Sequence, residues 1–189
     1  FSFRGLMETL RANDPARFLY TVEFFPEEGK YHYDGHRKCG VVCAPRESLK
    51  TGGLCPKCGK KLTIGVLHRV EELADREPGV GGPGRVPYKN LVPLNEIIAE
   101  AVGKTPECQG VWDLYFRFIR EFGDEHAILT EVPVEELARI PPERIAEAVG
   151  RMRRGQVSIA PGHDGEYGRI RIFGEGPAAE ACSPQMSLF

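Results

Sequence analysis

No apolar run in this chain approaches the length of a membrane-spanning helix, so a helical membrane protein is excluded. Net charge is nearly missing too. Twenty-five Lys and Arg against 27 Asp and Glu leave −2, so any affinity for a polyanion must come from local patches. No internal repeat of solenoid length is present. Nothing resembles a signal peptide, and Cys108 and Cys182 stand alone, so the simpler expectation is a reducing, cytoplasmic setting. Gly103-Lys104-Thr105 has the look of a phosphate loop, but Ile98 stands where that loop needs a glycine, and no strand precedes it. An ATP site is therefore excluded.

What the chain does contain is a pair of matched knuckles. His36-Arg37-Lys38-Cys39-Gly40 is followed by Cys55-Pro56-Lys57-Cys58-Gly59. Each sets two soft ligands three positions apart with a glycine directly after the second. That pattern suits a tight turn around a tetrahedral Zn2+ held by His36, Cys39, Cys55 and Cys58. Cys43 offers an alternative fourth ligand, since a thiolate binds zinc well. Gly40 after Cys39, against Ala44 after Cys43, favours His36. The module is basic: between Lys30 and Lys61, eight Lys and Arg stand against Asp34 and Glu47. A small basic module stapled by a metal suits a nucleic-acid partner.

The hydrophobic pattern predicts an α+β chain. Ser2 can cap a helix over about residues 3–12, with Phe3, Leu6, Met7 and Leu10 on one face. Phe18 to Phe25 reads as a buried strand stopped by Pro26-Glu27-Glu28-Gly29. Leu62-Thr63-Ile64 reads as a ribbon strand. Gly65 to Ala74 reads as a helix with Val66, Val70 and Leu73 inward. A Gly/Pro-rich linker covers 75–90. Helices are then expected over Asn95 to Val102, Val111 to Phe122, Pro133 to Ile140 and Glu143 to Arg154. Gln156 to Ala160 and Gly168 to Phe173 read as a short hairpin.

Several clusters invite chemistry. Lys30, Tyr31, His32 and Tyr33 put aromatic faces beside cations, which suits base stacking and phosphate holding, and equally suits a loop packing its rings on the ribbon. Arg37 adds a cation in the first knuckle. Arg151, Arg153 and Arg154, with Arg144, lie around a helix ending at Gly155, as a phosphate grip or as a solvated face. His163-Asp164 reads first as a turn. The last five residues, Gln185-Met186-Ser187-Leu188-Phe189, resemble the Gln-Leu-Ser-Leu-Phe peptide by which bacterial DNA-processing proteins hold the sliding clamp. In that resemblance Gln185, Met186, Leu188 and Phe189 are the anchors.

These residues converge on a family. The run from Phe24 through Pro26-Glu27-Glu28-Gly29-Lys30-Tyr31-His32-Tyr33-Asp34-Gly35-His36 to Arg37, then Cys55-Pro56-Lys57-Cys58-Gly59, then Gly65 to Arg76, resembles endonuclease Q, and so does the block Pro161 to Gly168. The resemblance implies a metal-dependent endodeoxyribonuclease with a PHP-type αβ barrel. Such an enzyme nicks DNA 5′ to deaminated bases such as uracil and hypoxanthine, or at abasic sites, and works with the clamp. It implies residues 1–30 as the C-terminal edge of that barrel, 31–66 as a zinc ribbon, 67–173 as a mostly helical DNA-binding domain with a terminal hairpin, and 174–189 as a tail carrying the clamp peptide.

The family's His-x-His and Asp-x-His metal motifs are missing here. The catalytic divalent metals are therefore expected in an N-terminal region outside this sequence, and the chain alone is not expected to cut. No catalytic residue is assigned. The implied partners are DNA with deaminated bases and a bacterial sliding clamp, and the implied location is the nucleoid. A non-catalytic, zinc-containing adaptor that brings partners to the clamp is the alternative.

Overall fold

A computed structural model describes residues 2–77, 79–82 and 84–174. The chain divides into two compact units, one of residues 2–90 with 160–169, the other of 91–159 with 170–174.

The first unit opens with α1 (Phe3–Ala12). Ser2 Oγ accepts from Gly5 N at 3.1 Å, and Asn13 ends the helix in the left-handed region at φ 49°. The expected strand over Phe18 to Phe25 contracts to β1 (Thr21–Glu23), which pairs in parallel with β4 (Tyr88–Asn90). It is not buried: Leu19, Val22 and Phe24 stand exposed. A two-stranded ribbon has two open faces, and no described layer covers either.

β2 (Asp34–His36) and β3 (Val41–Cys43) are antiparallel, with Asp34 opposite Cys43. Gly40, at φ 58°, makes the left-handed turn between them, and Gly59, at φ 70°, does the same in the second knuckle. Leu62 to Ile64 is less regular than expected. Thr63 bridges Gly35 through two bonds of 2.8 and 2.9 Å, but no strand propagates. α2 (Pro45–Lys50) and α3 (Val66–Leu73) pack on one another. The orientation of α3 corrects the sequence expectation. Val66, Val70 and Leu73 face outward, while Leu67, His68 and Glu71 are the partly covered positions. The buried Asp34 carboxylate draws His68 inward, and that overrides the apolar stripe.

The ribbon's own core is only Val41, Cys55 and Leu62, with Cys39 and Cys43 against it. At about 1.5–3 kcal/mol per buried side chain, that is too small to hold a fold unaided.

The second unit is helical: α4 (Leu94–Val102), α5 (Gln109–Phe122), α6 (Glu125–Thr130), α7 (Val134–Leu137) and α8 (Arg144–Arg153). α4 packs against α5 and α8 through fully buried Leu94, Ile97, Ile98, Val111, Phe118, Ile145 and Val149. β5 (Ser158–Ala160) and β6 (Arg169–Arg171) pair where a hairpin was expected. The Glu100 carboxylate accepts from the Ile172 and Phe173 amides at 2.9 Å.

Candidate metal centre and nucleic-acid interface

The four side chains His36, Cys39, Cys55 and Cys58 offer ligand atoms that all lie within 4.8 Å of one another. β2 delivers His36, the turn after it delivers Cys39, and the second knuckle delivers Cys55 and Cys58. Gly59 N donates to Cys55 O at 2.8 Å and closes that knuckle. Cys58 Sγ lies 3.3 Å from His36 Nδ1. Cys43, on β3, is not in this group; burial pushes its thiol up.

Three thiols this close cannot all ionise without a cation among them. Cys39 is pushed up to about 11, first by its hydrogen bond with Cys58 and then by burial. Burial acts to raise Cys55 as well, but the His36 ring and the Lys57 and Cys58 amides outweigh it and bring the thiol down to about 6. One imidazole and three sulfurs, with no carboxylate among them, form a donor set suited to a tetrahedral zinc.

Behind this cluster lies a network the sequence did not announce. Asp34 is fully buried. Its Oδ1 accepts from Gly65 N at 2.7 Å, and its Oδ2 accepts from Ser48 Oγ and from His68 Nδ1, the latter at 2.6 Å. The His68 ring and the Ser48 hydroxyl thus converge on one carboxylate oxygen. The trio is not a nucleophilic relay. Ser48 Oγ crowds the same ring nitrogen, at 3.4 Å, whereas a relay needs serine and acid on opposite nitrogens. It ties β2, α2 and α3 together. The one signal in sequence was an acid inside a basic module.

The aromatic loop is clasped by the distant loop 161–168. Tyr33 N donates to Gly162 O at 2.9 Å, Gly162 N to Glu27 O at 2.7 Å, Gly165 N to Lys30 O at 2.9 Å and Gly168 N to Glu28 O at 3.0 Å. Glycines allow this approach: a Cβ at Gly35 would sit 2.6 Å from His163 Cδ2, and one at Gly168 would collide with the Glu27 carbonyl. Asp164, at φ 44°, completes the clasp, accepting from Thr63 Oγ1 at 2.5 Å and from Arg37 N at 2.6 Å. Those two bonds hold its carboxyl below the usual range, the Thr63 hydroxyl contributing most. His163 is therefore a buried wedge and Asp164 a tether, consistent with a turn.

Within the clasped loop, His32 and Tyr33 stack on each other with centroids 5.5 Å apart. Burial lowers His32, and the Glu27 carboxylate partly opposes it. The Lys30 ammonium lies 5.7 Å from the Tyr31 ring and 5.6 Å from that of Tyr167, a residue the sequence reading had not singled out.

The arginines of α8 lie in the other unit and divide. Arg153 turns inward, donating to Leu129 O at 3.0 Å and Ile128 O at 2.7 Å, where it caps the last turn of α6 instead of facing a phosphate. Arg151 donates to Glu147 at 2.8 Å and lies over the Phe173 ring, while Arg154 donates to Gln156 at 3.0 Å. The clamp-peptide anchors Gln185, Met186, Leu188 and Phe189 lie outside the described residues.

A family model described as the MJ0043 C-terminal domain matches residues 93–156. Uncharacterized protein MJ0043 of Methanocaldococcus jannaschii is 38% identical over 77% of this chain and 18% of its own length. Uncharacterized protein YqxK of Bacillus subtilis is 30% identical over 86% of this chain and 38% of its own. Among solved structures, the lesion-specific endonuclease PfuEndoQ of Pyrococcus furiosus matches 82% of this chain and 39% of its own, at a TM-score of 0.69 and 36% identity. An endonuclease Q solved with a 27-mer duplex bearing an abasic lesion at its active site matches 94% of this chain and 45% of its own, at a TM-score of 0.73 and 31% identity. The chain thus spans less than half the length of each of these relatives. In both sequence and fold the chain is similar to part of endonuclease Q.

Proposed function

We propose that this chain is the zinc-stapled, DNA-engaging portion of a lesion-directed repair endonuclease. The enzyme nicks 5′ to deaminated bases such as uracil and hypoxanthine, or at abasic sites. The observation that carries the reading is the likeness, over 94% of the chain, to an endonuclease Q that holds duplex DNA with an abasic lesion at its active site. In this reading His36, Cys39, Cys55 and Cys58 hold a structural zinc that fixes the turns around the aromatic loop. Residues 1–30, with an exposed apolar face on α1 and β1, are the edge of a PHP-type barrel. That barrel carries the catalytic divalent metals in sequence beyond this chain.

Lys30, Tyr31, His32, Tyr33 and Arg37 form the base-receiving side, and Arg151 and Arg154 meet phosphates. Pairing within the ribbon supports a fixed platform: Arg46 pairs with Glu71 and Glu77, and the enclosed Asp34 holds Gly65 N and His68. Gln185, Met186, Leu188 and Phe189 tether the enzyme to a bacterial sliding clamp at the nucleoid. Titration of the zinc-loaded chain into labelled duplex DNA at several salt concentrations tests the reading. Binding that weakens log-linearly with salt is expected. No binding at low salt would overturn it.

A further inference from the structure

We propose that Tyr31 and Tyr167 are the two stacking rings of a base-binding clamp, with the Lys30 ammonium close to both for the adjoining phosphate. The proposal rests on the DNA reading above and names the groups that would touch an unpaired nucleotide. Both rings are open to solvent, Tyr31 at 46% and Tyr167 at 72% exposure, so neither is explained by core packing. They come from loops 136 positions apart in sequence, and the four backbone bonds of the clasp bring them to one place. The cation lies almost equidistant from the two rings, at 5.7 and 5.6 Å.

A second cation is close. A Cβ on Gly165, two residues before Tyr167, would lie 3.7 Å from Tyr31 Oη and 3.8 Å from Arg37 Nη1. Resident cations beside exposed π-faces repel a cationic guest and favour one that is anionic and aromatic, which is the chemistry of a nucleotide.

His32 and Tyr33 are placed differently. They are half-buried and stacked on each other. The carbonyl of His32 receives Leu67 N at 3.1 Å, and that of Tyr31 receives Val66 N at 2.8 Å, so the loop's backbone anchors the start of α3. His32 and Tyr33 support the platform, and Tyr31 and Tyr167 present it. A paired base is already stacked within the duplex, so the clamp acts on single strands and on nucleotides released at a lesion.

The test is fluorescence anisotropy on the zinc-loaded chain with three probes: a single-stranded oligonucleotide, a duplex with one mismatched uracil and an intact duplex. Tyr167→Ala should weaken binding to the first two by about fivefold or more and leave the intact duplex within about twofold. Tyr167→Phe, which keeps the ring, should match wild type. Lys30→Met should lower the slope of log affinity against log salt by about one. Tyr167→Ala within about twofold of wild type on every probe would overturn the clamp while leaving the DNA reading intact. Equal losses in Tyr167→Phe and Tyr167→Ala would overturn stacking as the mode. A wild-type chain that binds none of the probes would remove both readings.

Discussion

Replacing Asp34 with alanine should open the ribbon from behind. The carboxylate accepts from Gly65 N at 2.7 Å, from His68 Nδ1 at 2.6 Å and from Ser48 Oγ, with no water-exposed surface of its own. Alanine takes the acceptor from the buried Gly65 N and from His68 Nδ1, while Ser48 Oγ keeps the Pro45 carbonyl at 3.0 Å. Breaking a buried, charge-assisted set of this kind costs about 3–5 kcal/mol. A small unit has only about 5–15 kcal/mol to lose. Asp34→Asn keeps an acceptor for Gly65 N and the side-chain shape, so about 1–3 kcal/mol is expected.

Trp112 lies in the other unit, so its fluorescence would not report the damage. Hydrogen exchange followed by mass spectrometry on peptides covering 31–74 reports it directly. At about 1.36 kcal/mol per tenfold, protection should fall by two to nearly four orders of magnitude in Asp34→Ala, and by less in Asp34→Asn. Exchange within about tenfold of wild type in Asp34→Ala would refute the network as a structural tie.

Two further outcomes follow from the same unit. Cys58→Ala removes one of four donors within 4.8 Å, and should bring zinc in the purified chain well below one equivalent and loosen residues 34–62; undiminished zinc would show the ligand set to be wrong. Burial lowers His32, so the folded state resists protonation more than the unfolded chain does. Its contribution is therefore complete above the unfolded value near 6.5 and is lost as pH falls through the lower folded value. His32→Phe, which keeps the ring stacked on Tyr33, should flatten the decline in melting temperature between about pH 7 and pH 5.5 relative to wild type; identical pH profiles would show that His32 is solvated.

The knuckles were legible because the ligand types, the three-residue spacing and the trailing glycines are all local in sequence. So were α1 with its Ser2 cap and the helices of the second unit, where a wide apolar stripe meets a real core. What failed was any inference requiring knowledge of the covering layer. Val22 and Phe24 have strand chemistry but no described lid, and Val66, Val70 and Leu73 make an inward-looking stripe that a buried acid turned outward. Arg153 looked like its neighbours until α6 placed two carbonyls within its reach. Tyr167 joined the aromatic loop through backbone bonds spanning about 130 to 140 positions, which no local pattern encodes.

The most direct test of the central claim is lesion discrimination by the zinc-loaded chain: its affinity for a duplex with a single mismatched uracil against the same duplex intact, at one physiological salt concentration. The account predicts tighter binding to the lesion, by about fivefold or more if one unpaired nucleotide is stacked on the clamp. Equal affinity for the two duplexes would contradict it and leave only charge-driven attachment to DNA.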